Sequence, residues 1–236
     1  MSIRNYAAAL LLMAFSGAAL ADDYAAATAA AQKGDYAAAL KLLKPLAEKG
    51  DARAQAELGA IYAVGKGVPA DPKESLRWTK LAAEHGNAAA QANLGTMYLE
   101  GQVVQRDYKE AMKWNLAAAG QGVAAAQANV ATMFYEGDGV PQDYKEAIKW
   151  MRLAAVQGDP ESQLNLGTMY VVGQGVDPDA LRGFMWTSLG LESLPMSLTE
   201  KKAAQDMAGK GLSAEDIAKA QAMAKKCKES KFKDCG

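Results

Sequence analysis

The sequence predicts an all-α chain of repeated helix pairs, and three observations carry that expectation. First, identical residue types recur every 36 positions: Trp78, Trp114, Trp150 and Trp186, and likewise Gln55, Gln91, Gln127 and Gln163. Tyr62, Tyr98, Phe134 and Tyr170 keep the same step, as do Gly65, Gly101, Gly137 and Gly173. Self-similarity at this period marks a repeat architecture of one supersecondary unit per period. Second, 50% of the 236 residues are hydrophobic but only 7% are aromatic. The core must therefore be alanine and medium aliphatics, which suits closely packed helices better than strands. Third, helix start and stop signals recur in phase with the period. Asp71, Asp107, Asp143 and Asp179 precede one helix of each unit; Gly86, Gly122 and Gly158 follow the first three, and Leu194 stands at that place after the fourth.

The elements follow in order. Residues 1–21, MSIRNYAAALLLMAFSGAALA, join a basic Arg4 to a short apolar run and end in Ala19-Leu20-Ala21. That is the pattern of a cleavable secretory signal, and the run is too short to span a bilayer. The mature chain is expected to begin at Asp22 in the periplasm of a bacterium. Residues 22–50 keep Asp35 and Gly50 in register and put Leu42 at the Trp position, so they read as a degenerate helix pair capping the stack. Four repeats then span 51–195, as 51–86, 87–122, 123–158 and 159–195.

Residues 87–122 show the logic of one unit. Asn87 is placed to cap a first helix, whose face is set by Ala92, Leu94, Gly95 and Tyr98, and Gly101 stops it. Asp107 opens a second helix, and Glu110 three positions on predicts a capping box; Asp71 with Glu74 and Asp143 with Glu146 repeat the device. The second helix ends at Gly122, suited to a left-handed C-cap. Gly59, Gly95 and Gly167 lie inside first helices, where glycine costs about 1 kcal/mol relative to alanine. That recurring cost implies a close helix–helix approach; the third repeat has Ala131 there instead. The Trp column reads as a core anchor, and the Gln column as buried amides that satisfy nearby backbone.

From Ser197 the repeat is lost. Residues 196–236 read as two further helices, the second opened by Ser213 with Asp216 in a capping box, followed by a tail. Cys227 and Cys235 are the only cysteines. In an exported chain they form a structural disulfide that clamps this tail, stabilising by about 2–3 kcal/mol at most. Lys201, Lys202, Lys225, Lys226, Lys228, Lys231 and Lys233 make this end basic, which reads as a solvated face.

The segment AQAELGAIYAVGKGVPADPKESLRWTKLAAEHG at 54–86 and its successors resemble the Sel1-like repeat family, relatives of tetratricopeptide repeats. The resemblance covers about 51–190. It implies an α/α right-handed solenoid with a concave groove lined by the first helices, and protein–protein interaction rather than chemistry.

Composition narrows function. With 26 Lys+Arg and 27 Asp+Glu the net charge is −1, which removes the basic footprint that nucleic-acid binding needs. His85 is the single histidine, and no nucleophile–base constellation or phosphate-cradling loop accompanies it. No catalytic residue, cofactor or metal is expected, nor stable membrane insertion. A ligand is expected where repeated geometry meets exposed polar residues. Glu57, Asn93, Asn129 and Asn165 occupy one helical position, Thr96, Thr132 and Thr168 another three residues on, and Glu100 and Glu136 flank them. This ladder is the candidate groove for a protein partner in the cell envelope, with the chain a monomer acting as regulator, assembly scaffold or inhibitor. Two alternatives stay open. One is immunity against a secreted phospholipase or other envelope-targeting effector. The other is β-lactam binding or hydrolysis, suggested for cysteine-rich relatives, although this chain lacks their cysteine pair within each repeat.

Overall fold

A computed structural model of the chain describes residues 23–235, so the signal sequence assigned to 1–21 lies outside the described residues. Among the described residues the chain forms twelve helices and no strand. They are α1 (23–32), α2 (Tyr36–Glu48), α3 (Ala52–Val64), α4 (Pro72–Glu84), α5 (Ala88–Glu100), α6 (Tyr108–Gly120), α7 (Ala124–Glu136), α8 (Tyr144–Ala155), α9 (Pro160–Val172), α10 (Ala180–Ser193), α11 (Leu198–Ala208) and α12 (Ala214–Glu229). They fall into two compact units. One runs to Met97 and includes Gly101–Gln105; the other comprises Tyr98–Glu100 and the chain from Arg106.

In the first unit, Leu40, Leu43 and Leu46 of α2 pack with Leu58 and Ile61 of α3, Trp78 of α4 and Ala27 of α1. Leu42, at the Trp position, lies at the edge of this cluster. In the second unit the core joins Ala131, Ile148, Met151, Leu166, Met169, Trp186 and Leu189. Trp78 and Trp186 are fully buried anchors, whereas Trp114 and Trp150 are half-buried. Trp114 lies under Lys113 and donates its Nε1–H to Glu110.

The close approach implied by the small-residue column is present. A Cβ on Gly59 would stand 2.7 Å from Thr79 Oγ1, and one on Gly167 would stand 2.4 Å from Thr187 Oγ1 and 2.7 Å from the Thr187 backbone nitrogen. In the third repeat the column holds Ala131, and the facing position is the flexible Met151.

The Gln column ties consecutive helix pairs together. Gln55 Nε2 donates to the Ala47 carbonyl at 2.9 Å, and Gln91, Gln127 and Gln163 donate likewise to Ala83, Ala119 and Ala155. Each acceptor is a carbonyl in the last turn of the preceding helix that also accepts from the N–H of Gly50, Gly86, Gly122 or Gly158, so the amide takes its second lone pair. The other end of the amide is also used. Gln55 Oε1 lies 2.8 Å from His85 Nδ1, so that nitrogen carries the proton, and Gln127 Oε1 accepts from Gln157 Nε2 at 2.7 Å. His85 and Gln157 stand one period apart twice over, each just past the helix that pairs with its glutamine's helix.

The caps differ from expectation in one respect. Asp71, Asp107 and Asp143 accept from the backbone N–H groups of the two residues at N2 and N3, as expected. No capping box closes, however. The N–H of each aspartate already donates to the carbonyl of Tyr62, Tyr98 or Phe134, so the glutamate has no donor to reach back to. Glu74, Glu110 and Glu146 pair instead with Arg77, Lys113 and Lys149 one turn on. True boxes form where the repeat has ended, at Ser197 with Glu200 and at Ser213 with Asp216. Gly50, Gly86, Gly122 and Gly158 adopt positive φ just beyond their helices, as expected of a left-handed cap.

The C-terminal helices cover the last repeat. Ala224 and Cys227 of α12 join the cluster around Trp186, while Phe184, Ala208 and Ala220 form a second one with Ile217 and Leu212. Cys227 and Cys235 are bonded, with Cα atoms 4.5 Å apart. The loop they close turns through Lys231 and Phe232, both left-handed non-glycine residues, and seats Phe232 against the core and Gly158. Four of the seven lysines of this basic end are paired: Lys202 with Asp206, Lys225 with Glu229, Lys226 with Asp234 and Lys228 with Glu192.

Two outcomes are expected. Gly59→Ala should destabilise the protein by about 1–3 kcal/mol in thermal or urea unfolding, as overpacking does. Thr79→Ala should recover most of that loss, because the clash is with a side-chain oxygen. Thr187→Ala should not rescue Gly167→Ala, where the backbone is also in the way; equal rescue at both sites would contradict this geometry. Hydrogen bonds from Ser197 and Ser213 hold the Glu200 and Asp216 carboxyls below their ordinary ranges. A carboxyl lowered in the folded state contributes stability above its unfolded value and loses it as pH falls through the lowered one. Acidification below the ordinary carboxylate range should therefore fray the first turns of α11 and α12. Amide exchange at Glu200 and Asp216 would rise; unchanged protection would remove these boxes from the stability of the end.

Candidate functional site

The nine ladder residues divide between the units. Glu57, Asn93 and Thr96 belong to the first; Glu100, Asn129, Thr132, Glu136, Asn165 and Thr168 belong to the second. Their environments are not equivalent, although the sequence period treats them as columns.

In the first unit Glu57 of α3 is half-buried near Tyr24, whose phenol is pushed up mainly by burial and secondarily by the Glu57 charge. It lines a cleft of about 400 Å³ with Thr28, Tyr36, Ile61, Val64 and Lys66. Asn93 of α5 is exposed, and its side chain makes no hydrogen bond among the described residues. Thr96, one turn on, is half-buried and partnered.

In the second unit two of the ladder's amides do different work. Asn129 of α7 donates its Nδ2–H to Asn115 Oδ1 at 3.1 Å, and Asn115 is fully buried on α6. Asn115 in turn donates to the Ala111 carbonyl. Asn129 is thus a packing residue that satisfies a buried amide. Asn165 of α9 is exposed and uncommitted among the described residues, as is Thr132 of α7. The facing position explains the difference. It is Asn115 opposite Asn129, but the same step back from Asn165 reaches Met151, whose thioether is no match for an amide. Thr168 is exposed and turns its hydroxyl back to the Leu164 carbonyl.

Four of the ladder residues meet in one place. Thr132 and Glu136 of α7 and Asn165 and Thr168 of α9 line a cleft of about 160 Å³ floored by the buried thioethers of Met151 and Met169. Tyr135 forms its side wall, donating its hydroxyl to Gln174 Oε1 at 3.1 Å and meeting Tyr144 edge-on at 5.2 Å. Glu136 is the one charged lining group, exposed and without an ion pair among the described residues. The cleft is smaller than the roughly 300–1,000 Å³ typical of small-molecule sites, so it has room for one side chain rather than a cofactor.

A second cleft, about 520 Å³, lies on the other flank of α9 and went unnoticed in the sequence. Leu164, Val171 and Val172 of α9 line it with Ala204, Met207 and Ala208 of α11, and Lys210 borders it. Val172 is 56% and Met207 74% exposed, high for such side chains. The signal was available in part: Val172 replaces the glutamate seen at 100 and 136. The other wall belongs to a helix outside the repeat, whose placement no periodicity dictates.

Among the described residues no group of three or more His, Cys, Asp or Glu is arranged to hold a metal ion. No described helix is long and apolar enough to cross a membrane. His85 donates to Gln55 and faces no nucleophile in the contacts described above.

These features define a helical-repeat protein whose outward first-helix faces carry uncommitted polar groups. Comparison with known proteins bears on the class. The Sel1 repeat model matches residues 25–51, 52–87, 88–123, 124–159 and 160–192. The chain belongs to the Sel1 repeat family. Repeats of this family generally mediate protein–protein interaction. Among solved structures, one similar to this chain is a protective antigen of uropathogenic Escherichia coli strains that displays an SLR fold. It is 29% identical, with a TM-score of 0.71 over 84% of this chain and 43% of that one, so this chain spans less than half of that relative. A Sel1 repeat protein from Oxalobacter formigenes is 26% identical, with a TM-score of 0.68 over 80% of this chain and 84% of its own. Comparison with curated proteins finds no match.

The two asparagines separate in a stability measurement. Asn129→Ala should cost about 1–3 kcal/mol, since it strands the Asn115 carbonyl oxygen in the core. Asn165→Ala should leave the unfolding midpoint within error, as surface changes do. Equal effects would mean that the two positions play one role.

Proposed function

We propose that this chain is an exported, non-catalytic interaction module of the cell envelope, and that its partner is a protein that seats on the outward face of the first helices. The observation that carries this reading is the α7–α9 cleft, where Thr132, Glu136 and Asn165 present polar groups that no described residue uses. Uncommitted donors and acceptors over a rigid helix pair suit recognition. The family supports a protein as the ligand, because its repeats generally work through protein contacts. The size of the cleft supports the same choice, since it admits a side chain and little more.

Export rests on Arg4, the apolar run and Ala19-Leu20-Ala21, and the cystine between Cys227 and Cys235 fits an oxidising compartment. Absence of catalysis rests on composition: one histidine, already bonded to Gln55, and no cysteine outside the disulfide. The mechanism is then steric. The module covers or positions a surface of its partner without altering a bond.

Cross-linking of the tagged chain in intact cells, followed by mass spectrometry, tests the reading. The expected result is one dominant envelope protein, cross-linked through α7 or α9, and a chain whose first residue is Asp22. The partner's identity separates a regulated sensor, an assembly factor and a neutralised effector. Recovery with Met1 intact, or no enrichment over a variant with scrambled repeats, would overturn it.

A further inference from the structure

The two clefts flanking α9 differ in chemistry and share their crest. Asn165 and Thr168, one turn apart, line both. On the α7 side the single charged group is the carboxylate of Glu136, above a floor of two buried methionines. Thioethers over a lone carboxylate suit a side chain with an apolar stem and a cationic head, which is the build of lysine or arginine. Among the described residues no lysine or arginine lines that cleft, so the carboxylate is open to a cation from a partner. On the α11 side the walls are Leu164, Val171, Val172, Ala204 and Met207, a surface for an aliphatic or aromatic side chain. Between the two, the Asn165 carboxamide offers both a donor and an acceptor, matched to a peptide backbone.

From this we propose that α9 is crossed by an extended segment of a partner protein that places a basic side chain in the α7–α9 cleft and an apolar side chain in the α9–α11 cleft. The proposal rests on the interaction reading above and names the chemistry of its partner. Spacing follows from geometry. A helix with its side chains is about 10 Å across, and an extended chain in the polyproline II conformation advances about 3.1 Å per residue and turns every third side chain to one face, so the two anchors stand about three residues apart. Charge complementarity at Glu136 selects the basic anchor. The repeats confer direction, because the corresponding cleft of the first unit has Thr28 where Glu136 stands and sets Lys66 beside its one carboxylate, Glu57. A basic anchor is therefore disfavoured there.

The test uses the full mature chain and a defined probe: a capped hexapeptide with one arginine and one leucine three positions apart in a Gly/Ser background. Titrated into the millimolar range, it should shift the amide NMR resonances of Thr132, Asn165, Thr168 and Met207 saturably. Replacing the probe's arginine by norleucine should weaken binding about fivefold, the range of a single ion pair. Glu136→Gln should weaken it equally, and the two changes together no further. Glu84→Gln, at an exposed carboxylate away from both clefts, should change nothing. Replacing the probe's leucine by glycine should remove the shift at Met207 while leaving that at Thr132. Absence of a saturable shift, or binding indifferent to Glu136→Gln, would overturn the proposal. Its failure is separable from that of the interaction reading: an envelope partner cross-linked elsewhere on the chain would leave that reading standing and remove this one.

Discussion

One buried carboxamide per repeat carries the joint between successive helix pairs. Gln55, Gln91, Gln127 and Gln163 each reach back to a carbonyl at the end of the preceding helix, taking the lone pair left free by the glycine N–H that the carbonyl already accepts just past the helix. Each such hydrogen bond contributes about 0.5–1.5 kcal/mol net, and the contribution recurs at every joint. At Gln55 and Gln127 the same amide also accepts from the end of the partner helix, through His85 and Gln157. Three helix ends are thereby held by one side chain. The single histidine of the chain is in this sense a substitute glutamine donor.

Small residues set the spacing that the amides then fasten. At Gly59 and Gly167 the facing threonine comes so near that no Cβ fits. The loops follow a similar rule. Gly139 and Gly175 lie against the backbone of Tyr108 and Tyr144, too close for a side chain. The one loop with a side chain at that position, Val103, is matched 31 residues earlier by Pro72 rather than tyrosine. Substitutions in the repeat thus come in facing pairs, as close-packed interiors require.

The repeat departs from itself at its exposed and half-buried positions. Asn129 and Asn165 are equivalent in sequence and opposite in role, because one faces a buried asparagine and the other does not. Glu136 and Val172 are equivalent positions with unlike chemistry, and they give the two flanks of α9 their different characters. A uniform ladder would bind any segment in any register. The irregularities make one register preferable to the next.

The sequence by itself determined the helix pairs, their 36-residue register, the caps at Asp71, Asp107 and Asp143, the small-residue approach and the buried role of the glutamines. All of these rest on contacts of short range or on contacts repeated at one fixed spacing, so a pattern along the chain records them. Tertiary structure decided the rest. It broke the expected capping boxes, because the aspartate N–H groups had already found carbonyls nine residues back. It split the Asn column, and it built the apolar cleft from α9 and α11, two helices whose contact lies outside any period. Such outcomes depend on which single side chain stands opposite another across the packed interface, and that pairing is not written in the spacing of either residue alone.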